Sequence, residues 1–319
     1  MLKRLLRSES LAVLVALVVV MVVFAAINGR FLSRLNIEGI VVSASISTIV
    51  SLGMTFVIAM RALDLSVGSI MGFAAVTSAT MLSHDISLPM VIVAALLTGA
   101  ALGLGNALLI NWLQLPSFVA TLATFSVIFG LSLITTHGAT VTIHNSELSA
   151  LVIGRVYGLA PSAAFIAAFV FIVMSTLFIR TPFGRHVAAT GGEVRAAIGA
   201  GVSIKRITTG VFMISGTLAG LGGIMTAGML QNADSTIGVG AELMSIAVVV
   251  VGGTSLTGGR GNLPGTVLAA FLLASIKSGL NVANVPSLYE GLVFGGILII
   301  ALMVDGMRQT ERRKGMLVV

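Results

Sequence analysis

The chain is short of charge. Of its 319 residues only 9% are Asp, Glu, Lys or Arg, while 57% are hydrophobic. Water-soluble domains carry about 25% charged residues, so a globule of this size would lack the polar groups to face water on every side. Cysteine is absent, which excludes a disulfide framework and any thiolate metal site. Histidine is scarce: His84, His137, His144 and His186 form no H-E-x-x-H pair, so the zinc-hydrolase helix is missing. No G-x-S-x-G elbow occurs, which removes the nucleophile turn of a serine hydrolase. No G-x-x-x-x-G-K-[ST] loop occurs either, so nothing here cradles nucleotide phosphates. Acidic residues within the apolar runs are few, which argues against a proton-coupled carrier built on chains of buried Asp, Glu and His.

What the chain has is apolar length. Mean hydropathy is +1.10, and a bilayer crossing needs about 20 mostly apolar residues. Candidate spans are Leu11–Ile27, Ile40–Met60, Val67–Leu82, Pro89–Trp112, Pro116–Thr135, Ala160–Ile179, Ile207–Met229, Met244–Gly258, Gly265–Val282 and Gly291–Val304. The first exceeds a usual signal-peptide core, although "FAAING" resembles a cleavage site; an uncleaved helix is the preferred reading. Met244–Gly258 is short enough to be a partial or tilted crossing. Glycine, with 37 copies, suits close helix packing in lipid. Composition therefore predicts an all-α polytopic membrane protein of about ten transmembrane helices.

The net charge of +7 would suit nucleic acid by itself, but the positions of the cations point to lipid. With the N-terminus in the cytosol, alternating spans put Lys3, Arg4, Arg7, Arg61, Arg180, Arg185, Arg195, Lys205, Arg206, Arg260, Arg308, Arg312, Arg313 and Lys314 inside. Only Arg30, Arg34 and Arg155 fall outside, and Lys277 lies within a span. Basic residues concentrate in cytoplasmic loops, so both termini are predicted to be cytosolic. Trp112, Tyr157 and Tyr289 fall at span ends, where interfacial aromatics gather.

Four stretches carry polar groups that a lipid-facing helix would not. "RALDLSVGSIMG" (Arg61–Gly72) joins the second and third spans near the cytosolic side. A carboxylate at the bilayer centre costs about 2.5–3.5 kcal/mol on insertion scales, so Asp64 is expected near the interface or paired. Arg61 is the available partner at helical spacing, and Asp64 can also cap the following helix. "GGTSLTGGRGNLPG" (Gly252–Gly265) is a second interruption, and two broken segments in corresponding halves mark a transporter built from repeats. "LPSFVATLATFSVIFG" (Leu115–Gly130) presents Ser117, Ala120, Thr121 and Thr124 on one helical face, suited to close packing or to a polar path. The longest cytosolic connection spans residues 180–206; Pro182 can open a short helix there and Gly191–Gly192 can end it. That connection is either a solvated basic loop or a docking surface for a cytosolic partner.

These stretches, from Phe31 to Val304, resemble the permease subunits of bacterial ABC importers of the ribose/xylose/galactofuranose type. "LDLSVGS" (Leu63–Ser69) is similar to that family's "IDLSVGS", and "LPSFVATLAT" to its helix start. "TPFGRHVAATGG" matches its Gly-Arg cytosolic loop, continuing through Ala196, Ala197 and Gly201. "GAELMSIAVVVVGGTSLTGGRG" (Gly240–Gly261) is the most specific match. Two departures stand out: Arg61 and Ala62 replace the usual pair of glycines, and Glu193 replaces the usual Asn.

The resemblance implies a vitamin B12-importer-like (type II) permease fold with two pseudo-repeated halves, in a bacterial inner membrane. It implies a second permease copy or paralogue, cytosolic ABC ATPase subunits that bind the ATP and Mg, and a periplasmic sugar-binding protein. The chain itself would be no enzyme and hold no cofactor or metal. On this resemblance Gly184, Arg185, Gly191, Gly192, Glu193, Arg195, Ala196 and Ala197 form the ATPase-docking loop. Asp64, Ser66, Gly68, Ser117, Thr121, Thr124, Glu242, Thr254 and Ser255 are candidates for the translocation path or gate. Cargo other than a monosaccharide remains open at this level: an amino acid, a nucleoside or a furanosyl signal. An ion-coupled carrier working alone is the third reading.

Overall fold

A computed structural model describes residues 9–316 of the chain. Lys3, Arg4 and Arg7 lie outside the described residues, as do the side chains of Arg308, Arg312, Arg313 and Lys314. The described chain is helical, with four two-residue strands. Seven helices are long and apolar enough to cross a membrane: α1 (Glu9–Ile27), α2 (Arg34–Ala59), α4 (Leu88–Leu113), α5 (Ser117–Thr136), α7 (Ser162–Arg180), α10 (Ile204–Leu230) and α12 (Leu263–Val282). Two more apolar helices are shorter, α3 (Val67–Ser83) and α11 (Ala241–Val251). A shorter apolar stretch, residues 287–303, falls mostly within α13 (Glu290–Met316). The remaining helices, α6 (Ser146–Ile153), α8 (Pro182–Gly192) and α9 (Val194–Gly199), lie in connections.

Burial separates two kinds of apolar helix. Only 6% of the α1 window is buried, whereas α2 is 83% buried and α10 is 67% buried. The uniformly apolar α1 is suited to lipid, while α2 and α10, richer in Ser, Thr and Gly, form the centre. The tightest crossing is α4 against α10. A Cβ on Gly99 or Gly103 would run into the carbonyls of Gly216 or Phe212, and one on Gly216 or Gly220 into those of Gly99 or Ala95. This is small-xxx-small packing on both helices, which lets two backbones touch in lipid.

The bundle has two ends of different character. At one end, Leu63 N–H reaches Ser117 at 3.1 Å, Asn111 reaches the Lys205 carbonyl at 3.1 Å, and Gly259 N–H reaches the Ala59 carbonyl at 2.8 Å. Arg61, Arg180, Arg185, Arg195, Lys205, Arg206 and Arg260 belong to these connections. At the other end β1 (Val141–Thr142) pairs antiparallel with β4 (Asn232–Ala233), and Arg155 bridges to Glu38 at 2.6 Å. Asp85, Glu147, Asp234 and Glu290 join Glu38 there. β2 (Arg155–Val156) and β3 (Ala160–Pro161) close a hairpin between α6 and α7.

Two crossings are not continuous helices. The chain leaves α2 at Ala59 and runs without helix to Ser66 before α3 begins. It rises along α5 as it goes, meeting Ser117 at Leu63, Thr121 at Leu65 and, through Asn106, Thr124 at Ser66. On the opposite side, the chain leaves α10 at Leu230 and runs from Gln231 to Gly240 down the length of α3. Ser235 and Ile237 carbonyls lie beside Gly72, and the Gly238 carbonyl beside Gly68. Then α11 starts. These two shorter helices, of 17 and 11 residues, therefore run in opposite directions, and their first turns meet inside the bundle.

This corrects three sequence expectations. Arg61–Gly68 is not a cytosolic turn: its later part enters the bundle, because the hydroxyl face of α5 supplies hydrogen bonds that water would otherwise provide. The interruption matching it inside the bundle is Gln231–Gly240, not Gly252–Gly265. The span expected at Met244–Gly258 is the eleven-residue α11, which ends at Val251 where Gly252 and Gly253 (φ 92°) turn the chain.

Candidate functional site

Asp64 is fully buried in the first interruption. Its Oδ1 accepts the Ser66 N–H at 3.0 Å and the Ser66 hydroxyl at 2.6 Å, and its Oδ2 accepts the Ser215 hydroxyl of α10 at 2.8 Å. Ser66 Oγ in turn accepts from Asn106 Nδ2 of α4 at 2.7 Å, and Asn106 Oδ1 accepts from Thr124 of α5 at 2.6 Å. One polar chain thus ties the broken segment to three helices, satisfying the rule that buried carboxylates are hydrogen-bonded. The expected Arg61–Asp64 pair is not formed. Arg61 adopts a left-handed φ of 65° and is exposed, which turns it away before the chain enters the bundle. The expected cap is not formed either: Asp64 accepts the N–H of Ser66, which is itself the N-cap of α3, and not an N–H of the helix's first turn.

The hydroxyl face of α5 has a specific use. Ser117 Oγ accepts the Leu63 N–H at 3.1 Å and Thr121 Oγ1 accepts the Leu65 N–H at 3.0 Å. Non-helical backbone is tolerated inside a membrane protein only where protein groups satisfy it, and Ser117 and Thr121 do so here. Asn106 and Ser215 complete the network and were not singled out from sequence. The available signal was a polar side chain inside an otherwise apolar run.

Gly68 and Glu242, distant in sequence, meet where α3 and α11 begin. A Cβ on Gly68 would collide with Glu242 Oε2 and the Gly238 carbonyl. Glu242 Oε1 accepts the Gly240 N–H at 3.2 Å, and Oε2 is buried with no hydrogen-bond partner among the described residues. A carboxylate in the first turn of α11 complements the positive helix end.

Thr254 and Ser255 lie apart from this centre, in the connection from α11 to α12. Thr254 Oγ1 accepts the Asn262 N–H at 2.9 Å, and Asn262 caps α12 by accepting the Gly265 N–H at 3.1 Å. Ser255 and Thr257 share a hydrogen bond of 2.9 Å at the surface.

The connection between α7 and α10 divides by burial. Gly184, Gly191 and Ala197 are buried, while Arg185, Gly192, Glu193, Arg195 and Ala196 are exposed. Thr181 caps α8, and Glu193 caps α9 by accepting the Arg195 N–H at 3.3 Å. Gly191 is the contact point with the rest of the molecule: a Cβ there would collide with the Ala59 carbonyl and crowd the Gly259 N–H. So α8 rests at once on the last turn of α2 and on the glycine turn after α11. The outer face of α9 leaves Val194, Arg195 and Ile198 uncovered.

A cavity of about 320 Å³ sits beside the α3–α11 meeting point, between α2, α10, α11 and α12. Ser43, Ser47 and Ser51 of α2, with Lys277 of α12, are among its walls. The sequence reading passed over them, although serines at i, i+4 and i+8 of an apolar helix were a visible signal.

A family model described as "Branched-chain amino acid transport system / permease component" matches residues 36–302. The chain is 33% identical to the ribose import permease protein RbsC of Haemophilus influenzae over 302 residues, covering 93% of each. It is 35% identical to the L-arabinose ABC transporter permease protein AraH of Azospirillum brasilense, covering 92% of this chain and 88% of that one. It is 32% identical to the autoinducer 2 import system permease protein LsrC of Escherichia coli, covering 96% and 89%. No solved structure matches the chain. With apolar helices of crossing length and these likenesses along nearly its whole length, the chain belongs to the permease-component family of membrane transport systems and is a transport subunit, not an enzyme.

Proposed function

We propose that this chain is the membrane permease of an ABC importer, passing a monosaccharide or a related small polar solute across a bacterial inner membrane. The observation that carries the reading is the likeness, over more than nine-tenths of the chain, to permeases named for ribose, arabinose and autoinducer 2 import. In this reading the chain supplies the path and a partner supplies the energy. Cytosolic ATPase subunits bind ATP and Mg and dock on α8–α9. A periplasmic binding protein delivers the solute at the end that carries β1 and β4. A second copy or a paralogue completes the assembly.

The basic end of the bundle supports a cytosolic placement of α8–α9 by the positive-inside rule. Seven long and three short apolar helical stretches are compatible with ten crossings and with both termini in the cytosol. Two shorter helices entered through non-helical segments from opposite sides suit a pseudo-repeated, type II permease. The exposed Val194, Arg195 and Ile198 make an apolar-plus-basic surface of the kind a docked ATPase would cover. The Gly191 contact then gives ATPase movement a direct mechanical route to both α2 and the turn after α11.

The test is uptake by proteoliposomes holding this chain together with its partner ATPase and binding protein. ATP-dependent accumulation of labelled D-ribose or L-arabinose is the expected result. Accumulation of L-leucine and no sugar would replace the cargo with the one in the family description. Uptake driven by a pH or Na⁺ gradient without the ATPase would overturn the importer reading altogether.

A further inference from the structure

We infer that Arg61 is a contact for acidic side chains of the partner ATPase, so that the docking surface extends from α8–α9 onto the start of the first broken segment. The inference rests on the importer reading above. It adds to that reading a residue outside the α8–α9 connection and the chemistry that residue meets.

Arg61 stands at a position shaped for glycine. The Arg61 N–H reaches the Ile58 carbonyl at 2.8 Å and the Ala62 N–H reaches the Val57 carbonyl at 3.0 Å, which closes the end of α2 around a residue with φ 65°. Helix ends of this kind favour glycine, because a Cβ is crowded at positive φ. Nothing inside the chain accounts for an arginine there. Its side chain is exposed and makes no hydrogen bond or ion pair among the described residues. A backbone outlier without an internal partner is a reason to look for one outside.

The place of Arg61 is the middle of the basic face. Every residue of α2 from Ser51 to Ala59 is buried, and so is Met60. The helix packs against α7, α8, α10, α11 and α12, so its last turns are enclosed by protein and not by lipid. A Cβ on Gly258 would meet the Arg61 Cβ at 2.7 Å and the Gly191 carbonyl at 2.6 Å. Arg61 is therefore joined through one glycine to the end of α8. Val194, the first residue of α9, follows Gly191 by three residues, about 10 Å at full stretch. Arg61 and the uncovered face of α9 thus fit within one side of a standard interface, about 800 Å².

Charge names the partner's chemistry. Arg61, Arg180, Arg185, Arg195, Lys205, Arg206 and Arg260 are all exposed at this end. The connections that carry them hold two acids: Asp64, buried in its own network, and Glu193, which caps α9. The ion pairs of Glu38 and Glu290 lie at the other end. The positive-inside rule accounts for cations in the connections generally. It does not account for one at a left-handed position, ringed by helices, in the middle of the face. A protein surface covering this face must bring carboxylates to it, and the guanidinium fork takes a carboxylate through two parallel hydrogen bonds. Held there, the ATPase would grip the chain three residues before Asp64 as well as at α8–α9.

The test is binding of the purified partner ATPase to the full chain in nanodiscs of phosphatidylcholine alone, which offer no anionic headgroup. R61G removes the guanidinium and gives the left-handed position its favoured residue. It should bind the ATPase at least fivefold more weakly while melting at or above the wild-type temperature. Added NaCl should weaken the wild-type complex more than the R61G complex. R34A removes a cation at the opposite end and should bind as the wild type does. Equal affinity of wild type and R61G overturns the inference and leaves the importer reading standing, and an accompanying loss of binding to phosphatidylglycerol vesicles would assign the guanidinium to lipid. Lower melting of R61G together with weaker binding also overturns it, since the residue would then serve the fold. A wild-type chain that binds no ATPase overturns the importer reading and this inference together.

Discussion

The carbonyl of Ala59 accepts the Gly259 N–H at 2.8 Å, joining the last residue of α2 to the turn that follows α11. Gly191 of α8 packs on this bond so closely that any side chain would collide with the Ala59 carbonyl. Three segments far apart in sequence meet there backbone to backbone, at the basic end of the bundle. In the proposed importer, a force applied to α8 would pass through this junction to α2 and to the turn after α11.

G191A tests that junction. The added methyl must push α8 off Ala59, and overpacking of this kind costs about 1–3 kcal/mol. Uptake should fall at least tenfold while the docked ATPase keeps its basal hydrolysis. G199A is the comparison, because a Cβ at Gly199 meets nothing within 4 Å. Equal uptake by the two variants would show that the Gly191 contact transmits nothing.

Asp64 organises the first interruption, so its loss should be felt as stability. D64A strands the Ser66 N–H, the Ser66 hydroxyl and the Ser215 hydroxyl, at about 1–3 kcal/mol for each unmet buried group. D64N keeps one carbonyl acceptor, and the Ser215 hydroxyl can rotate to accept from the new amide. Thermal unfolding of the detergent-solubilised protein should rank wild type above D64N and D64N above D64A. Equal melting of D64A and wild type would mean that the network does not hold the segment in place.

Thr121, like Ser117, accepts a backbone N–H of the broken segment. T121V removes the acceptor of the Leu65 N–H, which then has no water to turn to, at about 1–3 kcal/mol; T121S keeps the oxygen. Melting of T121S should stay near wild type and that of T121V should drop by several degrees. If both behave alike, methyl packing and not the hydrogen bond is what the position supplies.

Sidedness can be read directly in the cysteine-free background. Ala139 follows α5 at the β1–β4 end, and Thr257 lies in the turn after α11; both are exposed. A membrane-impermeant maleimide should label A139C in intact spheroplasts and T257C only after permeabilisation. R195C should follow T257C. Labelling of A139C and T257C from the same side would refute the proposed threading.

Much of this protein was legible from composition and local pattern. Apolar runs longer than a bilayer crossing, few charges and a one-sided distribution of Arg and Lys establish a polytopic helical bundle, because in lipid a backbone must satisfy itself. Pro182 at the start of α8 and the end of that helix at Gly192 were likewise read from local chemistry. Tertiary structure decided the rest. Asp64 looked like a turn residue near water and is instead buried, since its partners Ser215, Asn106 and Thr124 come from helices that no local rule joins to it. The glycines at Gly252–Gly265 looked like the second break, whereas the second non-helical stretch that enters the bundle runs from Gln231 to Gly240 along α3. Propensity marks where a helix can stop; only packing determines whether the chain stops in water or inside the bundle, where other helices take the place of water.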